Sequence, residues 1–168
     1  FTISGDTPAT SGSEQSRQNA AGPTKGRILV VEDDTVNQTV ATKMLERAGY
    51  EVRVAEDGQQ AWDLIQAPEH FNLVLMDVKM PVMDGVEATR KIRGSGRTQE
   101  DLPIIAMTAY AHKSEQDAFL EAGMNDTLSK PVDQQNLLEL VASYLSLNVR
   151  CIFTVRTYVF KALAGEGI

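Results

Sequence analysis

The stretch "LVLMDVKMPVMDG" (Leu73–Gly85) decides how the rest of the chain is read. An apolar run ends directly on Asp77, and a Lys-Met-Pro and an Asp-Gly turn follow at once. Continuous apolar runs of this length, bounded by turn residues, mark strands covered on both faces. A carboxylate at the end of such a strand is costly to desolvate unless something nearby compensates its charge.

Working outward, similar runs recur. "RILVV" (27–31), "EVRVA" (51–55), "FNLVLM" (71–76), "PIIAM" (103–107) and "DTLS" (126–129) are candidate strands. After the first, Val36, Val40, Ala41, Met44, Leu45 and Ala48 fall at helical spacing, with Thr35 and Gln38 spaced as a capping box and Gly49 as the stop. Further helices are expected at about 58–67, 84–93, 112–122 and 134–147. Five β-α repeats of this length imply an α/β fold, a parallel sheet with helices on both faces joined by right-handed crossovers. Ligands of such sheets bind beyond the carboxyl ends of the strands.

The chain of 168 residues suits one domain of roughly 100–150 residues with extensions. With 42% hydrophobic and 23% charged residues it has the composition of an ordinary globular protein. A net charge of −7 and no clustering of Lys and Arg argue against nucleic acid as partner. Cys151 is alone, which excludes a disulfide framework or a multi-cysteine zinc site within the chain and fits a reducing cytoplasm. No apolar run approaches the ~20 residues that cross a bilayer, so no direct membrane contact is expected of this segment, although a longer parent protein could be membrane-anchored.

Residues 1–26 read as a flexible linker: from Ser4 to Lys25 they are rich in Ser, Thr, Gly, Pro and Gln and nearly devoid of large apolar residues. "FTI" ahead of it is a β-like fragment, which suggests a cut upstream. Residues 27–148 form the expected domain. The extension at 149–168 is β-like and aromatic, and a sixth edge strand, a folded-back hairpin or a vector or frameshift scar all fit it.

At the carboxyl ends of the expected strands stand Glu32 and Asp33, then Asp77, Thr108, and Lys130 followed by Pro131. Three converging carboxylates with no His or Cys beside them suit a hard divalent cation, Mg²⁺ or Mn²⁺. Asp33, Asp77 and the backbone carbonyl near Lys79 would supply three ligands, with Glu32 acting directly or through water. Lys130 is a point charge for a carboxylate or phosphate, and Thr108 a hydroxyl for a phosphoryl oxygen. Asp77 is best placed as a nucleophile, since carboxylates form aspartyl phosphates in phosphoryl-transfer proteins.

Each of these residues has a blander reading. Glu32, Asp33 and Asp34 precede a helix, where capping alone favours acids, and Lys130 could be a surface lysine. Each is credible singly and poor jointly. Asp84-Gly85 reads as turn chemistry, His70 and His112 as solvated residues, Trp62 as part of a packed helix face, and the dispersed methionines as core filling.

"ILVVEDD-x-x-N", "LVLMD-x-x-MP-x-MDG", "IIAMTA" and "LSKP" resemble, in order and spacing, the signature blocks of response-regulator receiver domains over Arg27 to about Leu147. "LMDVKMPVMDGVEATRKIR" and "EAGMNDTLSKP" look most like receivers fused to hybrid sensor histidine kinases. The resemblance implies a doubly wound, five-stranded, flavodoxin-like sheet of order 2-1-3-4-5. It makes Asp77 the phosphoacceptor, Glu32 and Asp33 the acidic pair holding Mg²⁺, Thr108 and Lys130 the switch residues, and Pro131 the proline after a cis peptide. It also implies a domain that catalyses its own phosphorylation and dephosphorylation. Its partners would be a histidine kinase, or its own upstream kinase core, and a histidine phosphotransfer protein. "FTI" resembles the last strand of a kinase ATP-binding domain.

Two departures stand out. Thr127 occupies the place, three residues before the lysine, where many members carry an aromatic. Lys79 and Tyr110, each two residues after a site residue, flank the path of water to Asp77, and this pair is expected to tune phosphoryl lifetime. Two other functions compete: a phosphorylation-independent interaction module, which the complete residue set opposes, and an aspartate-nucleophile phosphohydrolase, which needs a second Asp where Lys79 stands. A dinucleotide domain lacks its Gly-rich loop after "RILVV".

Overall fold

Apolar runs that do not alternate need cover on both faces, and three such runs, 27–31, 71–76 and 103–107, flanked by the more polar segments 51–55 and 126–129 and separated by amphipathic stretches, leave few arrangements open. The computed structural model describes residues 24–110 and 112–146. Strands β1 (Arg27–Val31), β2 (Glu51–Ala55), β3 (Leu73–Asp77), β4 (Ile104–Thr108) and β5 (Asp126–Ser129) form one parallel sheet in the order β2-β1-β3-β4-β5. Between them lie helices α1 (Thr35–Arg47), α2 (Gly58–Gln66), α3 (Gly85–Gly94) and α4 (Lys113–Glu121), and residues 134–146 form α5. The expected linker, the "FTI" fragment and the C-terminal extension lie outside the described residues.

Strand side chains divide between two cores with the period of two that a pleated strand imposes. Ile28, Val30, Leu73, Leu75, Ile105 and Met107 pack with Ala41 and Leu45 of α1 and with Leu137 and Val141 of α5. Leu29, Val31, Val74, Met76, Ile104 and Ala106 pack with residues of α2, α3 and α4 on the other face. Met76, Met83, Met107 and Met124 are buried in these cores, as core filling requires.

The third and fourth strands start and stop later than their apolar runs suggest. Pairing continues through Asp77, opposite Met107, and through Thr108, opposite Ser129, so both polar residues stand on the sheet. Pro103 has no N–H to donate, and its carbonyl serves only as acceptor for Val74 N–H at 2.9 Å.

The capping box expected of Thr35 and Gln38 does not form. Asp34 caps α1, its Oδ1 accepting from the N–H groups of Val36 and Asn37 at 2.9 Å each. A carboxylate one residue earlier reaches the unsatisfied N–H groups and matches the positive end of the helix. Gln38 instead donates to the Glu32 carbonyl at 2.6 Å, tying the chain after β1 to the helix. Asp84 caps α3 through Glu87 N–H at 2.8 Å, the turn role expected of it.

The loop between β3 and α3 is pinned at both ends. Gly85 N–H donates to Val78 O at 3.0 Å, and a Cβ on Gly85 would run into the Asp77 carbonyl oxygen, so only glycine lets the two backbones approach. Gly58 N–H holds Met83 O at 3.1 Å.

At the opposite edge, half-buried Arg93 closes three segments together. Its guanidinium donates to the carbonyls of Gly123, Thr98 and Leu102 at 2.9 Å each and to Asn125 Oδ1 at 3.1 Å. Burial pushes its pKa below the usual value, against a partial rise from the Asp101 charge, and an arginine stays protonated regardless. Arg93→Ala strands these acceptors around a void and is expected to cost about 2–4 kcal/mol in chemical denaturation. Arg93→Lys, which cannot reproduce the fork, should recover only part of that loss.

Candidate functional site

Parallel strands deliver their carboxyl ends to one edge, and the residues expected there meet. Glu32 is 2% exposed, Asp77 5% and Thr108 7%, whereas Asp33 is exposed. Carboxylate oxygens of Glu32, Asp33 and Asp77 lie within 4.8 Å of one another. Lys130 Nζ stands 2.6 Å from Glu32 Oε2 and 2.8 Å from Asp77 Oδ2. Asp77 Oδ1 accepts from Lys79 N–H at 3.2 Å. These groups border an open cleft of about 340 Å³ that Thr108, Tyr110 and Asn37 also line.

Local structure explains each placement. Glu32 leaves β1 with its N–H bonded to Ala55 O at 3.0 Å, and its Oε1 receives long contacts of 3.4 Å from Asp34 N–H and Asn37 Nδ2. Lys130 follows β5 with its N–H on Thr108 O at 2.8 Å, and the Lys130-Pro131 peptide is cis, as expected of Pro131.

Burial pushes the Lys130 pKa down, but hydrogen bonds and charge from Asp77 and Glu32 outweigh it and leave it raised above the usual lysine range. The ammonium is therefore fixed in its charged form. Three carboxylates still face one ammonium, which leaves the cleft negative. An all-oxygen donor set with no His or Cys in the cluster fits Mg²⁺, which prefers carboxylate oxygen and retains waters.

Thr108 is placed as expected, but its hydroxyl is engaged in a local turn. It donates to Tyr110 O at 2.9 Å and accepts from Tyr110 N–H at 3.2 Å. Lys79 and Tyr110 meet: Nζ lies 5.3 Å from the centre of the ring, a cation-π contact at the cleft. Asn37 was visible in sequence only as the last letter of the first motif, and the structure sets its amide beside Glu32. His70 and His112 are exposed, away from the cleft lining.

Removing Lys130 would leave two nearly buried carboxylates unpaired, so Lys130→Ala is expected to cost about 2–4 kcal/mol. Asp77→Asn removes one of the like charges and should raise the thermal midpoint. A raised lysine pKa contributes stability that is complete below the unfolded value of roughly 10.4 and lost as pH climbs through the folded value. The Lys130 contribution should therefore be flat from about pH 6 to 9 and decline only in strong alkali, which denaturation at several pH values would read directly.

Comparison with known proteins agrees with this arrangement. Residues 28–142 match the model of the response regulator receiver domain. The chain is 41% identical over 126 residues to the sensor protein GacS of Pseudomonas syringae pv. syringae, a match covering 74% of this chain and 14% of that protein. Among solved structures, it resembles the receiver domain of sensor histidine kinase PA1611 from Pseudomonas aeruginosa PAO1, which has a magnesium ion coordinated in its active site cleft. The TM-score is 0.64 at 40% identity, covering 72% of this chain and 98% of that one. It also resembles the Saccharomyces cerevisiae receiver domain of Ssk1, solved with the histidine phosphotransfer protein Ypd1, with a TM-score of 0.66 at 29% identity over 74% of this chain and 91% of that one. The five-stranded order, the acidic cluster with its lysine and these likenesses converge: the chain belongs to the response regulator receiver family and resembles receivers carried by sensor histidine kinases.

Proposed function

We propose that Asp77 accepts a phosphoryl group from a phosphohistidine and that the receiver changes surface when it is charged. One observation carries this reading. Asp77 is 5% exposed, yet its carboxylate stands at an open cleft between Lys130 Nζ and Lys79 N–H, beside the oxygens of Glu32 and Asp33.

In the transfer, an Asp77 oxygen forms the new O–P bond as the N–P bond to the donor imidazole breaks, and the imidazole leaves with its electron pair. Little covalent work falls to the protein, so positioning and charge carry the step. Glu32, Asp33, Asp77 and the Lys79 backbone carbonyl would hold Mg²⁺, or Mn²⁺, which when bound neutralises charge on the carboxylates and phosphoryl oxygens. Lys130 would move its ammonium onto a phosphoryl oxygen. Thr108 would exchange the Tyr110 carbonyl for another. Such exchanges bias a two-state equilibrium and alter the face built by α4, β5 and α5.

The donor in this reading is a histidine phosphotransfer protein, a histidine kinase or a kinase core on the same polypeptide. Likeness to sensor kinases and to a receiver solved with Ypd1 supports it. A cytoplasmic position follows from the same reading, because the phosphoryl group originates from nucleotide inside the cell. Among the described residues no helix is long and apolar enough to cross a membrane.

The test is a mass spectrum after incubation with Mg²⁺ and acetyl phosphate, or under native conditions with beryllofluoride. A phosphate-sized adduct, or the BeF₃⁻ complex, is expected in the wild type and absent from Asp77→Asn. An adduct that persists in the variant would move the acceptor elsewhere. With the acceptor loaded, the Lys79–Tyr110 pair obstructs attacking water, so Tyr110→Ala should shorten the aspartyl phosphate lifetime about two- to tenfold. An unchanged lifetime would remove the ring from that role.

A further inference from the structure

Among the described residues the Glu32 carboxylate has one close partner. It is 2% exposed, and its Oε2 stands 2.6 Å from Lys130 Nζ. Its Oε1 has long contacts, 3.4 Å from the Asp34 nitrogen and 3.4 Å from Asn37 Nδ2, outside the roughly 2.7–3.2 Å of a regular bond. Buried carboxylates ordinarily have their lone pairs satisfied, so this group can accept more than it does.

Lys130 cannot serve Glu32 in both forms of the protein. Once its ammonium moves onto a phosphoryl oxygen on Asp77, Glu32 loses its ion pair while it stays inside the sheet edge, where an unpaired carboxylate is costly. A metal in the cleft offsets charge but does not replace the lost hydrogen bond. Nor can the backbone follow the lysine: Glu32 N–H is on Ala55 O at 3.0 Å, and the Glu32 carbonyl accepts from Gln38 Nε2 at 2.6 Å. The side chain must find a new donor where it stands.

Asn37 is at hand for this. Its main chain is fixed, with N–H on Asp34 Oδ1 at 2.9 Å, but its side chain is exposed. It lines both the acceptor cleft and a neighbouring depression, and Glu32 and Lys130 border the same two spaces. Asp34 already caps α1 and Gln38 already ties the helix to β1, so neither task explains the Asn37 amide. An aspartate of the same shape would suit the helix start better by charge, but it could not donate to Glu32. Closing the contact from 3.4 Å to a regular bond needs a movement of roughly half an ångström.

We propose that Asn37 is a positioning residue that takes over Glu32 when Lys130 leaves it, its amide closing onto the released carboxylate and stabilising the phosphoryl-bearing form. This rests on the phosphoacceptor reading. The charge-assisted bond is gained in that form alone, because Lys130 holds Glu32 in the resting one, so it biases the two-state equilibrium.

Wild type, Asn37→Ala and Asn37→Gln are titrated calorimetrically with Mg²⁺ alone, then with beryllofluoride at saturating Mg²⁺. Asn37→Ala should melt no lower than the wild type, since alanine favours the helix and the long contact contributes little. It should bind Mg²⁺ within about twofold of the wild type, because Lys130 still holds Glu32, and bind beryllofluoride about tenfold more weakly. Asn37→Gln, which keeps the amide, should recover most of that loss. Parallel losses of Mg²⁺ and beryllofluoride in Asn37→Ala overturn the proposal, since Asn37 would then merely shape the metal site. Equal beryllofluoride affinity in wild type and Asn37→Ala also overturns it and leaves the phosphoacceptor reading standing. A wild type that binds Mg²⁺ but no beryllofluoride overturns the phosphoacceptor reading itself.

Discussion

The ammonium of Lys130, 2.6 Å from Glu32 and 2.8 Å from Asp77, is what allows two carboxylates to be nearly buried at the edge of an apolar sheet. Without a cation there, desolvation and mutual repulsion would drive the strand ends apart. Lys130 reaches them because β5 ends level with β4, with Lys130 N–H on Thr108 O, while β1 and β3 are neighbours near the centre of the sheet. Parallel topology therefore does the assembling: residues some hundred positions apart in sequence become adjacent through strand order alone. The same lysine leaves the balance incomplete, one ammonium against three carboxylates, and that residual negative charge makes a cation-seeking cleft of the site.

The cleft stands on rigid ground. The central strands β1, β3 and β4 beneath it are almost wholly buried, and the loops above it are fastened by short polar contacts. Asp34 caps α1, Gln38 grips the Glu32 carbonyl, Asp84 caps α3, and Gly85 lets α3 start against the Asp77 backbone. Positioning is the main contribution a protein can make to phosphoryl transfer. The backbone fastenings that supply it lie one shell out from the acidic residues themselves.

That division explains what could be read in advance. The sheet, its helices and the convergence of Glu32, Asp33, Asp77, Thr108 and Lys130 followed from apolar runs and from their polar ends, because burial periodicity is a sequence property. The cap of α1 was misread as Thr35 with Gln38, since a run of three acids offers several geometrically equivalent starts and only the backbone angle selects Asp34. The network of Arg93 was missed altogether. Its acceptors are main-chain carbonyls of Gly123, Thr98 and Leu102, and a carbonyl carries no letter in the sequence. Val82 was hidden likewise, since its φ of 67° is one that a β-branched residue rarely adopts.

Thr127, three residues before Lys130, bears on how a signal would leave the site. Threonine has no ring to swing there, and in the proposed switch the main chain offers a route for coupling. The Thr108 hydroxyl bonds the Tyr110 carbonyl at 2.9 Å, and the Thr108 carbonyl bonds Lys130 N–H at 2.8 Å, so one residue touches the loop after β4 and the end of β5 together. Turning the hydroxyl to a phosphoryl oxygen exchanges a neutral hydrogen bond for a charge-assisted one about twice as strong. With a neutral bond worth roughly 1 kcal/mol net, the gain is of the order of 1 kcal/mol, a five- to tenfold shift between two states. Lys130, released from Glu32 toward a second phosphoryl oxygen, would add to it. A bias of that size would move a receiver whose two forms lie close in energy and leave a strongly biased one nearly silent, so in the proposed switch the resting equilibrium of the loop after β4 would set how much of a phosphoryl group on Asp77 is felt at α4, β5 and α5.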